Sequence, residues 1–70
     1  MSNEQFQLKG EYILLNSLLK ITGLAQTGGH AGLLISEGQV KVNGDFESRK
    51  RRKCRIGDRV QVNEHIIIIV

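Results

Sequence analysis

A chain of 70 residues with 40% hydrophobic content, no Trp and no Pro can build one small aliphatic core but has little room for an enclosed pocket, which argues against an enzyme. Its single cysteine, Cys54, forms no internal disulfide, and His30 and His65 lie far apart, so neither a metal site nor a cofactor is expected. The net charge of +3 is concentrated in Arg49-Lys50-Arg51-Arg52-Lys53-Cys54-Arg55, six of whose seven residues are cationic, while the remaining four basic and seven acidic residues sum to −3.

Residues 1–10 are expected to fray or to start a short edge strand with Phe6 and Leu8. Met1 to Gln7 is polar and lacks the apolar segment of a secretory signal. Residues 11–70 read as a single domain. Glu11 to Thr22 is predicted to be a helix, because Tyr12, Leu15, Leu18, Leu19 and Thr22 recur at helical spacing. Glu11 in its first turn and Lys20 in its last suit the helix dipole, and Gly23 stops it. Thr27 is the expected N-cap of a second helix, Gly28 to Glu37, with Ala31, Leu34 and Ile35 inward. Gly28, Gly29 and Gly32 weaken its intrinsic propensity, so packing must hold it in place.

From Gln39 the period changes to alternation, which makes Val40 and Val42 the inner face of a strand. Asn43-Gly44 is a favoured two-residue hairpin turn, since both residue types tolerate positive φ. Asp45 to Lys53 is the expected return strand, with Phe46 inward. If Arg49 to Arg55 is extended, Arg49, Arg51, Lys53 and Arg55 share one face and Lys50, Arg52 and Cys54 the other. Gly57-Asp58 is a turn, Arg59 to Val62 a strand, Asn63-Glu64 a further turn, and Ile66 to Val70 a covered central strand. That apolar run of five residues is far below the ~20 needed to span a bilayer, so a cytoplasmic protein with a reduced Cys54 is expected. The element order gives an α+β fold, a two-helix hairpin packed on a small, mainly antiparallel sheet.

Leu15 and Leu19, Gly23-Leu24-Ala25, Ala31, Ile35, Gly38, Val40, Val42-Asn43-Gly44, Gly57-Asp58 and Val60 together resemble the ribosomal-protein-S-four-type RNA-binding domain, also called the alpha-L motif. Thr27-Gly28-Gly29 and the basic stretch after the hairpin are similar to its short, stand-alone YbcJ-type members. The resemblance spans Tyr12 to Val62 and implies RNA binding through the start of helix two and the strands that follow. Thr27 stands where the family often has Ser, and Lys41 and Asn43 match family positions near the binding surface. Gly28 stands where many members have an RNA-contacting Arg, and Leu14 where many have Arg, so the Arg49 to Arg55 cluster is the expected source of the missing charge.

The chemistry of the residues points the same way. Phosphates bind Arg and Lys through counterion release, and Arg adds bidentate contacts. Arg49, Lys50, Arg51, Arg52, Lys53 and Arg55 are therefore the leading RNA-binding candidates, joined by Thr27, Gly28, Gly29, Lys41 and Asn43. A helix N-terminus with two glycines offers N–H groups that a phosphate can approach closely, although the same glycines also suit a tight turn with close helix packing. With Tyr12 and Phe46 assigned to the core, base stacking has little support, and structured RNA read by shape is the expected partner, ribosomal or transfer RNA included. No small-molecule substrate, membrane or second copy is expected. The alternative is a protein-interaction module using the basic strand on an acidic partner. His30 is read as a surface helix residue, Cys54 as a buried, idle thiol, and Asn43 first as a turn residue.

Overall fold

The computed structural model describes residues 2–70; Met1, part of the stretch expected to fray or pair at an edge, lies outside the described residues. Three strands build the centre, β3 (Val40–Val42) and β6 (Arg59–Val62) with alternating apolar residues and β7 (His65–Ile69) with a continuous apolar run. Their antiparallel register sets Val40 opposite Val62, Val42 opposite Val60, and Val60 opposite Ile67. Val40, Val42, Val60, Val62, Ile67 and Ile69 are all buried on one face. Two further strands complete a five-stranded sheet in the order β1-β7-β6-β3-β4, where β1 is Ser2–Phe6 and β4 is Asp45–Phe46. β1 is an edge strand and pairs parallel to β7, so the sheet is mixed, with its other pairings antiparallel. The two-residue turn Asn43-Gly44 has both residues at positive φ (54° and 91°), which matches the right-handed twist of the strands it joins.

Two helices, α1 (Leu15–Ile21) and α2 (Gly28–Ser36), cover the buried face. Leu15, Leu18 and Leu19 of α1 and Ala31 and Ile35 of α2 join the sheet residues, Ala25 and Cys54 in one core. This is the expected α+β fold.

Several local expectations are corrected. The first helix starts at Leu15, not Glu11, because Ile13–Leu14 (β2) is drawn into a small antiparallel pair with Lys53–Cys54 (β5). Glu11 is thus outside the helix, and Tyr12 is 42% exposed instead of inward. The second helix ends at Ser36, with Glu37 as its C-cap. The return strand predicted over Asp45 to Lys53 is only Asp45–Phe46; the chain then leaves the sheet, and the basic stretch is mostly loop. Phe46 is 69% exposed rather than inward, since the turn pairs it with Lys41, which points away from the core. The closing strand is central but is fully covered on one face only, with Ile66 and Ile68 half-buried.

Candidate nucleic-acid interface

The basic stretch is bonded to the start of α1. The first N–H groups of an α-helix have no partner within it. Here the Leu15 N–H donates to the Arg52 carbonyl (2.9 Å) and the Asn16 N–H to the Lys50 carbonyl (3.0 Å). The following β5 residues pair with β2, and Cys54 inserts fully into the core. Burial raises the Cys54 thiol pKa, against the opposing pull of the Arg52 guanidinium, which fits an idle thiol. The stretch also touches α2: a Cβ at Gly32 would lie 3.1 Å from Lys50 Cδ, so the lysine stem runs close across the helix here and would have to shift by a few tenths of an ångström to admit a side chain.

Six cations in so short a segment repel one another, and two carboxylates outside it absorb part of that cost. Glu47 accepts from the Arg49 backbone N–H, Nε and Nη2, each at 3.1 Å, and pairs with Arg52 Nε at 2.9 Å. The hydrogen bonds from Arg49, outweighing burial, hold the Glu47 carboxyl down at about 2. Asp58 accepts from the Arg55 N–H (2.8 Å), Arg52 Nη1 (3.3 Å) and Asn43 Nδ2 (3.0 Å). Burial works to raise the Asp58 pKa, but these bonds together bring it below the usual value. Arg52 bridges the two acids and is itself only partly exposed. Tyr12 lies beneath two more cations, with Lys53 Nζ 4.9 Å and Arg55 Cζ 5.9 Å from the ring centroid, where the ring's negative face attracts them.

Lys50, Arg51, Lys53 and Arg55 are exposed and, among the described residues, pair with no side-chain carboxylate. With Arg49 and Arg52 they line an open concavity of about 770 Å³. Such a surface can hold several phosphates at once through charge and guanidinium hydrogen bonds.

The other candidates divide. Thr27 is the N-cap of α2, its Oγ1 accepting the His30 N–H at 3.0 Å. His30 is an exposed helix residue whose Nδ1 accepts the Gln26 N–H at 3.2 Å. A Cβ at Gly28 would meet nothing and one at Gly29 only Thr27 Oγ1 at 3.8 Å, so close packing does not explain these two glycines, whereas Gly32 lies close against the Lys50 stem. Asn43 is committed internally, with Oδ1 accepting the Arg59 N–H (2.9 Å) and Nδ2 donating to Asp58. Lys41 lies on the outer face of the sheet, 4.8 Å above the Phe46 ring. It lines a second concavity of about 290 Å³ with Gly38, Gln39, Phe46, Gln61 and Asn63, which shares no residue with the first.

Sequence reasoning missed Tyr12, Glu47 and Asp58. The acids carried a signal: each stands just outside the cationic run, Glu47 two residues before Arg49 and Asp58 three after Arg55. Tyr12 carried none, because its apparent helical spacing placed it in the core.

Comparison with known proteins extends these observations. The S4 domain family model matches residues 6–70. YbcJ of Escherichia coli (strain K12) is 40% identical over 62 residues, covering 89% of each chain. RlbA of Bacillus subtilis (strain 168), named a probable ribosome maturation protein, is 38% identical over 52 residues, covering 74% of this chain and 73% of RlbA. A solution structure of YbcJ from E. coli, described as revealing an alpha-L motif involved in RNA-binding, superposes with a TM-score of 0.73 at 40% identity, covering 94% of this chain and 85% of that one.

Proposed function

The chain belongs to the S4 domain family, and on that premise we propose that it is a small RNA-binding protein whose contact surface is the basic segment Arg49–Arg55 together with the N-terminus of α2. One observation carries this reading: Lys50, Arg51, Lys53 and Arg55 line a single concavity without side-chain carboxylate partners among the described residues, on a segment that backbone hydrogen bonds fasten to α1. A fixed array of cations is what a phosphate backbone of defined shape selects, and a structured RNA is such a partner. The open glycines behind Thr27 supply N–H groups at the positive end of the α2 dipole. Tyr12 is engaged beneath Lys53 and Arg55, so it serves better as their support than as a platform for bases. Lys41 and Asn43 move to secondary roles, Lys41 as an outlying cation and Asn43 as a brace for Asp58. The protein works as a cytoplasmic monomer on ribosomal or transfer RNA, without catalysis, membrane or small-molecule substrate. The likeness to a relative named for ribosome maturation supports a ribosomal target.

The test is an anisotropy titration of a structured RNA, a matched duplex DNA and heparin at several salt concentrations, with the wild type and with Arg51, Lys53 and Arg55 changed together to Ala. Structured RNA is expected to bind best. The triple variant is expected to flatten the log–log salt slope by about 2–3, corresponding to three lost phosphate contacts. Equal binding of all three polyanions would reduce the surface to a generic anion patch. Unchanged RNA binding by a folded triple variant would move the interface elsewhere and revive an acidic protein partner for this segment.

A further inference from the structure

We infer that Glu47 is a positioning residue for RNA, an acid whose removal weakens binding to a polyanion. The inference rests on the RNA-binding reading above. Counting charge gives the opposite sign, since neutralising Glu47 takes the chain from +3 to +4 and removes a repulsion.

The geometry decides against the count. Glu47 is fastened to the sheet by its own N–H, which donates to the Val40 carbonyl at 3.0 Å. Its side chain is only 11% exposed, turned into the loop, with both oxygens occupied by guanidinium groups. Its field is therefore largely cancelled at close range before it reaches an approaching phosphate. The planar guanidinium of Arg49 meets the carboxylate through Nε and Nη2, a bidentate contact that fixes its orientation. Arg49 nevertheless remains 73% exposed, and its Nη1 has no partner among the described residues. Through Arg52, the same carboxylate is coupled to Asp58, which holds the far end of the segment at the Arg55 N–H. The Arg52 carbonyl in turn bonds the Leu15 N–H at the start of α1. Glu47 thus links the sheet, the cationic segment and α1. Without it, Asp58 is the one side-chain carboxylate among the described residues still paired with the six mutually repelling cations, and the concavity they line loses its defined shape.

The experiment uses the whole chain and a structured RNA, with Glu47→Gln, Glu47→Asp and a charge-matched control, Glu4→Gln, on the exposed β1 edge. Glu47→Gln is expected to bind about five- to tenfold more weakly, as when only a fraction of the molecules hold the competent arrangement. Its log–log salt slope is expected to stay within about one unit of wild type, because the same cations still reach phosphate. Glu4→Gln binds as wild type or slightly tighter, and Glu47→Asp recovers part of the loss. Arg49→Lys keeps the charge but not the bidentate contact, and it too is expected to weaken binding, which covers the case in which Glu47→Gln does not fold. Glu47→Gln binding as tightly as Glu4→Gln, or Arg49→Lys binding as wild type, would overturn the inference. Failure of the wild type to bind structured RNA would remove the RNA reading itself and this inference with it, and that result is visible before any variant is tested.

Discussion

The β6–β7 hairpin and the basic segment lie side by side in the chain but are held by opposite physics. In the hairpin, Val60, Val62, Ile67 and Ile69 are buried, oriented by alternation in β6 and by its register with β7. The basic segment buries only Cys54 and relies on Glu47, Asp58, Tyr12 and two backbone bonds from the start of α1. Apolar burial is non-directional and tolerates exchange among residues of similar volume. A polar clamp depends on particular atoms and on their charge. The hairpin should therefore govern whether the chain folds, and the segment what the folded chain can hold.

The largest expected effect breaks the first half of that contrast. Ile67→Ala should cost about 2–5 kcal/mol through lost burial and the cavity left behind. That is much of the ~5–15 kcal/mol available to a small domain, so the urea midpoint should collapse. Lys50→Ala and Arg51→Ala should leave that midpoint nearly unchanged.

Acid sharpens the second half. The Glu47 pKa in the folded chain is depressed from 4.5 to about 2, so its contribution to stability is complete above about 4.5 and disappears as the pH falls towards 2. Asp58 acts in the same direction. Wild-type stability should therefore fall between pH 5 and pH 2.5 on this account, as followed by urea unfolding at each pH. Glu47→Gln should be less stable at neutral pH and lose less on acidification. An equal acid loss in both proteins would show that Glu47 contributes nothing to folding.

The smallest effect falls on α2. Thr27→Ala removes the acceptor of the His30 N–H and should cost about 1 kcal/mol, measurable as a shift of a few degrees in Tm. If α2 presents its N-terminus to RNA, the same change should weaken RNA binding modestly while leaving the salt slope unaltered.

What was readable in the chain follows the same division. Periodicity was enough for α2, β3 and β6, because their inward residues repeat at a single spacing, and residue type was enough for the Thr27 cap and the Asn43-Gly44 turn. Phe46 was readable in principle. A two-residue turn pairs Asp45 with Val42 and therefore Phe46 with the outward Lys41. Tyr12 to Leu14 was not readable, because Leu15, Leu18 and Leu19 continue backwards into an equally good helical pattern. Only the arrival of Lys53 and Cys54 beside Ile13 and Leu14 turns that stretch into a strand.

The local sequence was sufficient for the fold class, for the inner faces of β3 and β6 and for the place where positive charge accumulates, since each depends on residue type and spacing along a few neighbouring positions. The shape of the cationic surface was not written there. Glu47 and Asp58 meet through Arg52, Lys50 crosses Gly32, and Tyr12 comes to lie under Lys53 and Arg55 only after the chain has folded back on itself. Ion pairs and cation–π contacts depend on distance in space, and most of these partners lie too far apart in the chain for any local period to record them.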